Sequence, residues 1–295
     1  MLRLRRLHRV RHRARGRVTR PACGRESGHR SGSRAWRRGT GHVARPPHRI
    51  RSARSRRVKI RVRSTKLGKV RFVGHRDMAR IWDRTLRRLG IPVAFTQGFT
   101  PRPRIAFGLA LPMGAESLAE YVDVEIDTHH VDGHDLDLDG LPVAWSELLP
   151  DGIDVTVVDV PDVPVESLQE SVTSCTWELW SPEITGEDLA AAVALLDADE
   201  LLVERERKRE RRTDDIRPLL LDLRPDHTGH RLVAELATTG RALRPAELCT
   251  LAFPHVDPLD VRVLRTHQWT SHDDDRREVL PLPVSVAAPD REVGA

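Results

Sequence analysis

The chain has 295 residues, with 49 Lys and Arg against 43 Asp and Glu and a formal net charge of +6. That length allows one large or two small domains with a real core. Three scattered cysteines, Cys23, Cys175 and Cys249, exclude a disulfide framework and a C-x-x-C metal pair. No run of about 18 apolar residues offers a membrane helix, and the Arg-rich N-terminus lacks the apolar h-region of a secretory signal, although its composition resembles a transit peptide. The expected setting is the cytoplasm, with no membrane partner, no metal and no cofactor.

The net charge conceals three regimes. Residues 1–57 hold 20 Arg and one Glu, residues 58–121 are net +9, and residues 122–295 are net −22. Such polarisation predicts a basic patch on an otherwise acidic body, and an anionic ligand for it.

Residues 1–57 show no apolar periodicity. They read either as a disordered nucleic-acid-binding arm or as GC-rich upstream sequence translated by an over-extended start. From Val58 the pattern is regular. Val58, Ile60 and Val62 alternate with Lys59, Arg61 and Arg63, which predicts a half-buried strand with a basic outer face. It resumes after the Lys66–Lys69 turn through Val70–Val73. Met78, Ile81, Trp82, Thr85, Leu86 and Leu89 then make the apolar stripe of a helix over 76–89. Arg76, Arg80, Arg84 and Arg87 or Arg88 run up another side, and Gly90 and Pro92 stop the helix.

A strand is predicted near 92–96. The following Gly98-Phe99-Thr100-Pro101-Arg102-Pro103-Arg104 is a stiff loop, because its prolines remove donors and extend the residues before them. Strands over 121–126 and 153–160, with a short helix opened by Pro142 between them, complete a β-α-β-β-α-β order. The order repeats as strand 171–180, helix 186–197, strand 200–206, strand 231–237, helix 245–252 and strand 259–267. Thr185 and Asp188 supply an N-cap for the first of these helices. The predicted fold is α+β, two tandem ferredoxin-like (βαββαβ) halves with antiparallel sheets. The boundaries are a basic extension over 1–57, halves over 58–163 and 164–270, and a loose tail over 271–295.

Several strings carry a resemblance. They are Gly74-His75-Arg76-Asp77, the Arg87–Pro92 turn, Gln97–Ile105, Leu111–Ser117 with Glu120-Tyr121, and Asp215-Ile216-Arg217-Pro218. Over residues 58–270 the chain resembles the radical-SAM-linked protein family, an uncharacterised domain found alone or fused behind cobalamin-binding radical SAM proteins. The resemblance begins only at about Val58, which favours the over-extended start. It implies membership and no reaction. The chain has no radical SAM cysteine triplet, so an accessory or substrate-presenting role is expected, with no catalytic activity of its own.

The expected ligand is RNA, bound by Arg76, Arg80, Phe99, Arg102, Arg104 and Arg217. Arg suits bidentate phosphate contacts, and the prolines lower the entropy cost of presenting the loop. Gly98, Pro101, Pro103, Gly108 and Gly114 set the loop geometry. Phe99 and Phe107 are either base-stacking rings or core. Arg217 is either in a local Asp–Arg pair or a ligand contact. His75 and Asp77 are weak catalytic candidates, the alternative being that they serve the helix N-terminus. The run 128–140 matches half of a calcium loop but lacks Glu at its twelfth position, and reads as a solvated loop. A radical SAM or RNA-processing enzyme is the expected partner. The alternatives are a metal-independent endoribonuclease-like enzyme on a duplicated ferredoxin fold, or a protein–protein adaptor.

Overall fold

A computed structural model describes residues 49–50, 57–127, 136–161, 167–207, 210–240, 242–272 and 275–282. The element order is β1 (Arg49–Ile50), β2 (Arg57–Lys66), α1 (His75–Leu89), β3 (Ile105–Phe107), β4 (Glu116–Asp127), β5 (Leu136–Asp137), α2 (Leu141–Ser146) and β6 (Val155–Asp159). It continues through α3 (Leu168–Ser171), β7 (Val172–Trp180), α4 (Gly186–Ala194), β8 (Leu202–Arg207), β9 (Glu210–Asp215) and β10 (Leu220–Pro225). It closes with β11 (Leu232–Ala237), α5 (Pro245–Ala252), β12 (Arg262–His272) and β13 (Asp275–Glu278).

Among the described residues, nine strands form one sheet in the order β10-β11-β7-β12-β4-β2-β6, with β3 on β4 and β13 on β12. The chain is α+β and its sheet is mostly antiparallel. Two separate antiparallel sheets were expected, and the strands instead merge into one. The cause is the length of β4, 12 residues. Its C-terminal part pairs with β3 at Ile105↔Val124, while its start pairs in parallel with β12 at Leu264↔Glu116 and Arg265↔Ser117. β1–β5 and β8–β9 form small ladders of their own.

Period-2 alternation aims Ile60, Val62, Val122, Val124 and Ile126 at α1 and α2. There Trp82 meets Trp145 edge to face at 5.3 Å. A second cluster packs Leu179, Leu223 and Leu236 of the sheet with Leu189 of α4 and Leu248 of α5. α4 opens with the expected capping box, in which Thr185 Oγ1 accepts the Asp188 N–H at 3.3 Å and Asp188 accepts the Thr185 N–H at 2.8 Å. The Thr185 hydroxyl, which donates to the Asp188 carboxylate at 2.7 Å, and then the Thr185 N–H hold that carboxyl below its usual range.

The outer face of β2 is not solvated. Arg61 is 4% exposed and Arg63 is 1% exposed. Arg61 Nε and Nη2 donate to Asp123 at 2.7 and 3.0 Å. Arg63 is 2.8 Å from Glu278 and donates to the Leu280 carbonyl at 3.0 Å. Residues 275–282 therefore cover this face and are not a loose tail; residues 283–295 lie outside the described residues.

Other expectations also shift. Residues 68–72 form a 3-10 helix where a strand was read. Residues 92–96 give only the bridges Val93↔Ile126 and Phe95↔Pro103, since Pro92 interrupts the ladder. Residues 202–207 sit in the β8–β9 hairpin, and the strand place beside β11 goes to β10. β10 escaped the sequence reading because a register shift between Leu220 and Asp222 breaks its alternation. The last long strand runs 262–272 rather than 259–267. Of the stretch 1–57, only 49–50 and 57 are described, and 49–50 pair with 136–137. Most of the calcium-like loop, 128–135, lies outside the described residues.

Helix α1 ends as its sequence dictates, with Gly90 at φ 69°. Gly152 is a second required glycine, at φ 92°, where an added Cβ would come within 2.3 Å of the Leu67 carbonyl. Because Leu86 is buried and Arg84 exposed on the same helix, Leu86→Ala costs about 2–5 kcal/mol. Arg84→Ala stays within about 0.5 kcal/mol. Denaturant unfolding of both variants checks the assignment, and equal effects would refute it.

Candidate functional site

At about 100° per residue, Arg76, Arg80, Arg84 and Arg87 fall within a sector of about 80°, opposite the Met78–Trp82–Leu86 side. All four are exposed. Arg80 pairs with Asp77 at 2.8 Å and Arg87 with Asp83 at 3.1 Å. Arg76, Arg84 and the neighbouring exposed Arg88 bond to no described side chain. From Arg76 to Arg88 this basic face runs for about 18 Å along the 15-residue helix.

The proline loop follows the C-terminal end of α1. Its neck is held by the Thr96 N–H donating to the Arg102 carbonyl at 2.8 Å, and by the Arg102 N–H donating to Thr96 Oγ1 at 3.0 Å. Pro101 and Pro103 flank Arg102, the one inside the loop and the other on the way to the strand, and Gly98 turns at φ 136°. Phe99 is fully exposed, which removes its core reading. Arg102 points to solvent without a described partner. Arg104 does not share that orientation, because its Nη1 donates to Glu125 at 3.1 and 3.2 Å. Of the two loop arginines read as outward, Arg102 alone is presented.

Arg217 is spent inside the fold. Its guanidinium donates to the Leu196 carbonyl at 3.0 Å and the Leu220 carbonyl at 3.1 Å. The Leu201 N–H, and after it the Arg217 N–H, donates to Asp215, and these bonds lower the Asp215 carboxyl. The second-half motif is thus a clamp at the base of the hairpin, remote in role from the arginine face.

His75 and Asp77 do not come together. The N-cap of α1 is Gly74, with no side-chain cap. His75 stands edge-on to Phe107 at 5.2 Å, and Asp77 is taken by Arg80. Gly108 gives close approach to β4, since a Cβ there would lie 3.2 Å from the Tyr121 carbonyl. Gly114 turns at φ 85° beside Phe72.

These features frame a cavity of about 200 Å³ at the head of α1. Met78, Trp82, Phe107 and Leu111 line its walls, and His75 and Met113 also border it. Two of its lining residues, Lys66 and Glu120, are charged. Lys66 is 7% exposed and donates from Nζ to the Val73 carbonyl at 2.9 Å. Burial pushes its ammonium down; Glu120 offsets part of that and Arg265 adds to it. Glu120 Oε1 accepts from Arg265, a 1% exposed guanidinium that also donates to the Leu109 carbonyl at 3.1 Å.

Sequence reasoning missed Lys66, Glu120 and Arg265 as site residues. A signal existed for Lys66, which falls in phase with the core positions Ile60 and Val62. A charge in phase with a core stripe marks either a buried pair or a site.

Among the described residues no group of three or more His, Cys, Asp or Glu is placed to hold a metal. Cys175 and Cys249 are free and buried, and burial pushes their thiols to about 11 and about 12. Among the described residues no helix is long and apolar enough to cross a membrane.

Fold and site together define an α+β protein with an exposed arginine helix face and a charged pocket at its head. The chain belongs to the family described as an uncharacterized protein conserved in bacteria, DUF2344, which matches residues 59–245. That span includes Lys66, α1, the proline loop and Glu120, and stops before Arg265. Comparison with curated proteins finds no match. The family description names no reaction, ligand or partner.

Native Lys66 gives up its proton at lower pH than it does in the unfolded chain, where 10.5 applies. The unfolded chain therefore holds the extra proton in the window below 10.5, and stability rises with pH across it. Lys66→Met removes that rise, as urea unfolding of wild type and variant between neutral and alkaline pH measures. An unchanged profile in the variant would exclude a buried, proton-shedding lysine.

Proposed function

We propose that this protein is an RNA-binding accessory module that presents RNA to a partner enzyme of the radical SAM or another RNA-modifying or RNA-processing kind. The observation that carries the reading is the set of four exposed guanidinium groups with no partner among the described residues, on Arg76, Arg84, Arg88 and Arg102. The first three lie along α1 and the fourth on the rigid loop just beyond its end. Exposed Arg on a regular element suits a row of phosphates, and the bare ring of Phe99 suits a stacked base.

The strand orders support the finer fold reading. β6-β2-β4-β3 and β12-β7-β11-β10 follow the same rule, with the first strand of each set between its last and its third. Each set therefore reads as a ferredoxin-like unit, the second carrying the β8–β9 hairpin as an insertion. An accessory role follows from the cysteine inventory of the chain and from the radical-SAM-linked resemblance.

The test uses a chain begun at Pro46, where the compact unit starts, because the Arg-rich segment before it would bind RNA without specificity. Log affinity for single-stranded RNA falls with log salt at about −0.7 per phosphate contact. Replacing Arg84 and Arg102 by Ala flattens that slope by about 1.4 units and leaves the melting temperature unchanged. Arg104→Ala leaves the slope intact, since Glu125 holds that side chain. If the protein binds no RNA at low salt, or the double variant keeps its slope, the face serves a protein partner and the adaptor reading replaces this one.

A further inference from the structure

We propose that the cavity at the head of α1 is a nucleobase pocket, which takes one planar ring and reads its hydrogen-bonding edge. The inference rests on the RNA reading for the source of the base, and stands on the pocket's own chemistry for its class of ligand.

Two sets of groups make the case. The walls are apolar and partly aromatic, with Trp82, Phe107 and Met78 on the helix and strand sides. About 200 Å³ between them gives room for a single ring system. The charged end is polar and pre-positioned. Lys66 uses one N–H on the Val73 carbonyl and keeps two. Glu120 uses Oε1 on Arg265, while Oε2 bonds to no described residue. Arg265 is itself anchored on the Leu109 carbonyl, so the carboxylate is held rather than mobile. A fixed cationic donor beside a fixed anionic acceptor complements an edge that carries an acceptor next to a donor. The Watson–Crick edge of every nucleobase has that form, and enclosed bases are held by such edge contacts between apolar walls.

His75 lines the pocket, and Arg76, the next residue, begins the arginine face of α1, but Met78 and Trp82 wall the pocket on the opposite side of that helix. A strand on the arginine face would therefore have to pass around the N-terminal end of α1 to deliver a base, whereas a free nucleoside would enter the same pocket without the strand.

Neutral nucleosides separate the pocket from the basic surfaces, because they have no phosphate to attract Arg. With the full chain, guanosine, adenosine, uridine and cytidine are titrated by saturation-transfer NMR and tryptophan fluorescence, with ribose as control. At least one nucleoside binds saturably and ribose does not. Lys66→Met and Glu120→Gln each weaken binding about tenfold or more, as loss of a hydrogen bond to a charged group does. Glu120 also neutralises buried Arg265, so a second variant leaves the charged end untouched. Ala110→Trp, at an exposed position lining the pocket, abolishes nucleoside binding at an unchanged melting temperature. Binding of no nucleoside, or binding indifferent to Ala110→Trp, would overturn the pocket.

Single-stranded hexanucleotides with and without one abasic site then distinguish the sources. If the base comes from a strand, removing it weakens binding to wild type and not to Ala110→Trp. If both proteins ignore the abasic site while nucleosides still bind, the ligand is a free nucleoside or nucleotide. Loss of the salt-slope effect of Arg84 and Arg102 with nucleoside binding retained would defeat the RNA reading alone.

Discussion

The sharing of β4 between two sets of strands is the constraint on which the rest of the structure depends. Its parallel contact with β12 covers only two residue pairs, too little for backbone bonds alone to fix. Side chains reinforce the seam. Arg265 binds Glu120, Arg262 binds Glu116 at 2.7 Å, and the Gln268 amide donates to the Ala119 carbonyl. Burial pushes the Glu116 carboxyl up, but the Gly68 N–H and the Arg262 and Arg71 guanidiniums outweigh it and leave it below its usual range. The charged end of the pocket belongs to this seam, since Glu120 comes from one set of strands and Arg265 from the other.

The interior charges follow from the same arrangement. β2 is buried on both faces, one under α1 and α2 and the other against Asp123, Glu278 and Leu280, so the arginines of that strand need partners. Arg61 and Asp123 are register partners as well as an ion pair, so a one-residue slip would strand both charges. Buried pairs of this kind add little net stability, because desolvation offsets their attraction; their effect here is to fix one register. They also reduce the basic excess of residues 58–121. Arg61, Arg63 and Arg104 are neutralised by acids from later in the chain, and the free positive charge concentrates on α1 and the loop. That concentration is what makes the arginine face a more specific feature than the net charge of the segment.

Local physics was legible in the sequence because it acts over a few residues. Helical spacing determined α1 and its buried side, glycine determined its end, the Thr185–Asp188 pair determined the start of α4, and alternation determined β2, β7 and β11. The prolines of 101–103 determined a stiff loop. Each of these depends on neighbours within about two helical turns or one strand.

Tertiary structure decided everything that alternation leaves open. Period 2 says that Arg61 and Arg63 share a face, but the cover for that face comes from Glu278 and Leu280, the latter 217 residues from Arg63. The same distance rule separates Arg102 from Arg104. Both alternate with proline, yet a carboxylate on β4 waits beside only one of them. It also explains why the pocket was missed, since Lys66, Glu120 and Arg265 are a buried lysine, a motif glutamate and a strand arginine until the β4–β12 seam brings them together. Periodicity assigns residues to faces, and only the long-range pairing of strands assigns partners to charges.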